Sequence, residues 1–104
     1  MHVTVDQKRA DLQDLCRRFG VARLDVFGSA ARGGDFDAET SDVDFLVEFG
    51  APDDDLARFL DFRDALEALL GRPVDLVDRK DIEASRNYIR RRLILSGAES
   101  VYAA

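Results

Sequence analysis

The sequence predicts a small α/β (α+β) domain with helices packed on a sheet, and three observations carry that expectation. Apolar residues recur at helical spacing in three stretches, residues 6–19, 54–70 and 81–96. Between them lie short alternating or continuously apolar runs at residues 21–27, 42–49 and 74–77, the mark of strands. Gly20, Gly71 and Gly97 stand at the helix ends, and Pro73 follows the second of them. The resulting order is α-β-β-α-β-α, and strand direction is not readable at this level.

Each element has its own justification. In the first helix Leu12, Leu15, Cys16 and Phe19 form one apolar face. Residues 28–40 are rich in Gly, Asp and Ser and read as a loop. In the second strand Val43, Phe45, Val47 and Phe49 share one face, and Asp42, Asp44, Leu46 and Glu48 share the other. The second helix turns Leu56, Phe59, Leu60, Leu66, Leu69 and Leu70 inward. The last helix has Ile82, Ile89 and Leu93 spaced for burial.

The chain has 104 residues, the size of one domain, here residues 1–104 with a motif core at 21–77. It is 46% hydrophobic and 35% charged, enough for a small core under a strongly polar surface. A domain this small buries a modest share of its surface, so a homo- or hetero-oligomeric contact would add stability. The net charge of −6 argues against direct nucleic-acid binding, which rests on cationic contacts to phosphate. Any bound phosphate therefore needs a cation or backbone N–H groups. Cys16 is the only cysteine, so no intrachain disulfide forms and a reducing cytoplasm is expected. Its helical spacing makes it a core filler rather than a nucleophile. No apolar run is long enough to span a membrane. His2, the only histidine, is read as a chain-end residue without a catalytic role.

Candidate chemistry begins at Asp42 and Asp44. Aspartate is depleted in strands, yet two occupy alternate positions here. Alternate side chains point the same way, about 7 Å apart along the strand. Two neighbouring carboxylates repel, and a divalent cation relieves the repulsion. A solvated strand face is the plain alternative for an isolated pair. Asp75 is a third acid, inside a separate short apolar strand. Three such carboxylates suit metal-centred phosphoryl transfer, whereas Asp75 alone reads equally well as an edge-strand charge. Gly28 and Ser29 follow the first strand, and Arg32 and Gly33 lie just beyond. Gly allows close approach of the backbone to phosphate, Ser adds a hydroxyl and Arg32 a charge-assisted contact.

Together, Gly28-Ser29, Gly33, Ser41-Asp42-Val43-Asp44-Phe45-Leu46-Val47 and Val74-Asp75-Leu76 resemble the minimal nucleotidyltransferases of the polymerase-β-like superfamily. That resemblance implies a small mixed sheet with packed helices. It implies that Asp42, Asp44 and Asp75 bind one or two Mg²⁺ ions, with Asp75 helping to activate an acceptor hydroxyl. It further implies that Gly28, Ser29, Arg32, Gly33 and Ser41 contact the nucleotide, ATP. Attack would fall on the α-phosphorus and release pyrophosphate. Two features depart from the pattern: Ala30 replaces a basic or polar residue, and Asp35, Asp37 and Glu39 make the loop acidic.

Chains this short in the family resemble the antitoxin of a toxin–antitoxin pair whose toxin is a HEPN ribonuclease. The implied activity is transfer of AMP to a tyrosine hydroxyl of that toxin. A binding-only antitoxin with a vestigial nucleotide site is the competing reading. A transferase acting on a small molecule is a third, and it normally needs substrate-binding segments that these residues do not supply. Arg90, Arg91 and Arg92 read either as a solvated helix face or as a docking surface for an acidic partner. Tyr88 and Tyr102 are candidate self-modification acceptors, and Tyr88 fits as well as a half-buried helix residue.

Overall fold

The computed structural model describes residues 3–28, 42–50 and 56–104. His2, Ser29, Ala30, Arg32, Gly33, Asp35, Asp37, Glu39 and Ser41 lie outside the described residues, as does most of the expected Gly-rich loop.

The first helical stretch forms α1 (Val3–Gln7) and α2 (Arg9–Phe19), with a turn at Lys8 between them. Leu12, Leu15 and Cys16 are buried as their spacing predicts, and Phe19 packs at the margin. Gly20 ends α2 in the left-handed region, φ 69°, where its N–H donates to the carbonyls of Cys16 and Arg17. β1 (Val21–Phe27) follows at once. β2 (Val43–Phe49) is the alternating strand. α3 (Leu56–Leu70) returns the chain to β3 (Val74–Asp78).

The last helical stretch is interrupted. Asp78 caps α4 (Arg79–Glu83) by accepting from the Lys80 N–H. The chain breaks at Ser85, and Asn87 starts α5 (Tyr88–Gly97) by accepting from the Arg90 N–H at 3.1 Å. Two local caps thus replace the continuous helix expected over residues 81–96. β4 (Glu99–Ala103) has no counterpart in the sequence reading.

Among the described residues the strands form one mixed sheet in the order β3-β2-β1-β4. β1 is antiparallel to β2 and β4, and β2 is parallel to β3. The mixed sheet agrees with the expected fold. α2 and α3 cover one face, where Val43, Phe45, Val47 and Phe49 meet Leu24, Val26, Leu66 and Phe62. Phe62 is fully buried, with its ring 5.4 Å from Phe19 and 5.8 Å from Phe49. Arg58 lies over the Phe49 ring at 4.6 Å and donates to the Gly50 carbonyl at 2.8 Å, tying α3 to the end of β2.

Burial corrects two helical faces. The inner row of α3 is Phe62, Leu66 and Leu70, whereas Leu56 is 70% and Leu60 37% exposed. Apolar residues surround that helix, so spacing alone could not single out the face that meets the sheet. Ile82 is buried, but Ile89 and Leu93 are 70% and 68% exposed, because the break at residue 85 puts them on a separate helix. Tyr88 is 59% exposed rather than half-buried.

Candidate active site

The second face of the sheet carries the chemistry. Phe27 on β1 is the cross-strand partner of Asp44 on β2. Asp44 in turn is the parallel partner of Asp75 on β3. Neighbouring strands lie about 4.8 Å apart, so Asp44 and Asp75 stand side by side at one level of the sheet. Asp42, two residues before Asp44, is exposed at the mouth of β2. The structure therefore sets Asp44 and Asp75 side by side, with Asp42 exposed at the start of β2 and near enough for its charge to act on Asp44. Asp75 does lie on an edge strand.

Gly28 closes this arrangement. It has φ 70°, and a Cβ built there would lie 2.5 Å from Asp44 Oδ2. A side chain at residue 28 would have to push the Asp44 carboxylate aside and adopt a left-handed backbone that favours glycine. Asp44 is also electrostatically stressed. Burial first, then the charges of Asp75 and Asp42, raise its carboxyl above the ordinary aspartate range.

Among the described residues no group of three or more Asp, Glu, His or Cys side chains is placed to hold a metal ion, so no closed cage is present. Mg²⁺ does not require one, because it takes one or two carboxylates and keeps waters and phosphate oxygens in its shell. The donor chemistry fits such a cation: hard oxygens, like charge, and a central acid whose ionised form needs a counter-charge.

A cleft of about 600 Å³ opens above these acids. Phe27, Asp44 and Asp75 form its sheet side. Asn87, Ile89, Arg90, Leu93 and Ile94 form its helical wall. The sequence reading missed this wall, because the pattern suggested that Ile89 and Leu93 were core. It also passed over Asp25, fully buried on β1 and two residues from Phe27. The signal for Asp25 was present: an acid inside an apolar strand, the same cue that exposed Asp44. Asp25 is bound by Arg79, and Arg23 Nε lies 3.2 Å from its Oδ2. Cys16 is buried in the opposite layer with its thiol pushed up to about 12, consistent with a core filler.

A mixed sheet with paired acids on adjacent strands and a glycine turn against one of them is suited to holding a cation beside a phosphate. The chain belongs to the nucleotidyltransferase domain family, which it matches over residues 10–96. It is 43% identical over 75 residues to the protein adenylyltransferase MntA of Thermococcus cleftensis, covering 72% of this chain and 73% of the relative. A solved structure described as a minimal nucleotidyltransferase superposes with TM-score 0.74 at 35% identity, covering 95% of both chains. More distant structures share the fold. One comes from a toxin–antitoxin with AMP-PNP (TM-score 0.67, 19% identity, 92% of this chain and 73% of that one). Another is from a tri-AMPylated HEPN toxin in complex with its MNT antitoxin from Shewanella oneidensis (TM-score 0.64, 17% identity, 95% and 72%). The chain is thus a nucleotidyltransferase by family, and the Thermococcus relative it matches is a protein adenylyltransferase. Among the described residues no helix is long and apolar enough to cross a membrane.

Gly28→Ala is expected to reduce nucleotidyl transfer about 100-fold by displacing the Asp44 carboxylate. The left-handed backbone adds a stability cost of about 1–2 kcal/mol. Transfer rate and thermal melting measured on one preparation check both, and an unchanged rate would remove Gly28 from the site.

Proposed function

We propose that this chain is a cytoplasmic antitoxin that transfers AMP from ATP–Mg²⁺ to a tyrosine hydroxyl of a HEPN-domain toxin and thereby silences it. The observation that carries the proposal is the in-register pair Asp44 and Asp75, with Gly28 against Asp44. Asp42, Asp44 and Asp75 are assigned to hold one or two Mg²⁺ ions, which supply positive charge against the triphosphate and the leaving oxygen. Gly28, Ser29, Arg32, Gly33 and Ser41 are assigned to the nucleotide. Of these, Gly28 alone is among the described residues.

The reaction balances as an in-line displacement at the α-phosphorus. The acceptor oxygen forms a bond to the α-phosphorus, and the bond from that phosphorus to the bridging oxygen breaks. Pyrophosphate departs with the electron pair. Asp75, exposed at the sheet edge, takes the hydroxyl proton. Asp44, held by the β2–β3 register, would hold the cation that offsets the charge of the triphosphate.

The test joins the purified chain with the protein of its neighbouring gene, the HEPN toxin on this proposal, together with labelled ATP and Mg²⁺. Label is expected on a tyrosine of the partner and absent with Asp42→Asn/Asp44→Asn. No label together with a tight complex that still silences the partner would replace this proposal with a binding-only antitoxin.

A further inference from the structure

α5 does not behave as a core helix. None of its ten residues is buried. It packs against β1 along one side and leaves Tyr88, Ile89 and Leu93 59%, 70% and 68% exposed. Ile89 and Leu93 are four residues apart and lie on one face. The same two residues form part of the wall that faces Asp44 and Asp75 across the cleft. Their exposed area extends beyond that wall. Three large apolar side chains so exposed on one helix exceed what a single nucleotide base covers, and they match the anchors of a protein contact.

The charge around these anchors is one-sided. Residues 84–98 contain four arginines and no acid, in a chain of net charge −6. Arg91 is occupied: it donates to the Glu83 carbonyl at 3.3 Å and lies 5.5 Å from the centroid of the Tyr88 ring. Arg86, Arg90 and Arg92 are exposed. The cleft beside them has a carboxylate floor, which repels a nucleic-acid backbone or an anionic lipid surface approaching α5. A protein segment with apolar side chains between acids avoids that conflict, because its acids meet the arginines while its apolar residues meet Ile89 and Leu93.

We propose that the exposed face of α5 is the docking surface for the acceptor protein. It grips an acidic, apolar segment flanking the acceptor hydroxyl and so delivers that hydroxyl to Asp75. The inference rests on the AMP-transfer reading above for the identity of the occupant.

The test uses Ile89→Ser/Leu93→Ser and, separately, Arg92→Glu in the full chain, with the HEPN protein offered as acceptor in the transfer assay above as probe. Because these side chains are exposed, the melting temperature is expected to match wild type. For Arg92→Glu, which lies outside the cleft wall, binding of a fluorescent ATP analogue with Mg²⁺ is expected to stay within about twofold, whereas affinity for the HEPN protein falls about tenfold or more in both variants. Transfer then declines through KM for the acceptor rather than through kcat. Partner affinity unchanged in both variants would overturn the docking surface. So would loss of nucleotide binding with the complex intact, which would give the face to the nucleotide. Self-association of the free chain abolished by the same changes would give it to a second copy and likewise overturn the proposal. Absence of transfer by the wild-type protein would remove the AMP-transfer reading, while the affinity comparison would still decide the role of α5.

Discussion

Asp44→Asn is expected to abolish AMP transfer and, in the same protein, to raise the melting temperature of the metal-free chain. The two effects share one cause. Asp44 has its carboxylate partly desolvated and feels the charges of Asp75 and Asp42, so its carboxyl is raised above the ordinary aspartate value of 3.8. Between 3.8 and that raised value the native state holds more protons than the unfolded chain. Stability therefore falls as pH rises through this window, and the whole penalty is present at neutral pH. Asparagine keeps the shape and removes the charge, and because Asp44 is only half-buried, solvent screening keeps the gain small. The variant's thermal advantage should be full at neutral pH and disappear below pH 3.8. Mg²⁺ added at neutral pH should raise the melting temperature of the wild type and leave the variant little changed. A variant that is less stable than wild type at neutral pH, or that still transfers AMP, would contradict the assignment of this carboxylate.

Arg79→Leu is expected to cause the largest loss of stability. Asp25 has 1% of its side chain exposed, and Arg79, 12% exposed, reaches it from the start of α4. Leu46 lies between them on β2, opposite Asp25. The pair thus clamps the exit of β3 to β1 across the strand that bears Asp44. Removing one partner leaves a buried charge uncompensated, at a typical cost of about 3–5 kcal/mol. Arg23 keeps its own contact with Asp25, but it is half exposed, so a loss near the lower end is expected. The double change Asp25→Leu/Arg79→Leu should recover most of that loss, because the penalty belongs to the orphaned charge rather than to the missing contact. Denaturant unfolding of the wild type and both variants measures this. Equal stability of the single and double variants would show that the pair is not coupled.

The two experiments separate what the acids do from what holds them in place. Asp44 and its neighbours were legible in the sequence because strand aspartates are rare, and a cue at residues 42, 44 and 75 repeated three times. Asp25 offered the same cue once and was passed over. Its partner Arg79 was invisible, because the two are 54 residues apart and nothing local links them. β4 was missed for a related reason. It has one buried residue, Val101, and its pairing with β1 joins the two ends of the domain, Arg23 with Ala103 and Leu24 with Tyr102. Alternation cannot announce a strand that supplies a single core side chain.

Local chemistry by itself determined β1, the alternation of β2, the stop at Gly20, the placement of Cys16 in the core and the identity of the three acids. These depend on residue type and on spacings of two to four, which the backbone period converts directly into faces. Only the tertiary structure decided that Asp75 stands level with Asp44, that residue 28 has no room for a side chain, that Phe62 rather than Leu56 or Leu60 enters the core, and that α5 turns Ile89 and Leu93 out beside the cleft. Those outcomes depend on register and on contacts between distant segments. A carboxylate becomes part of a site, or an isoleucine part of a surface, through what packing places opposite it.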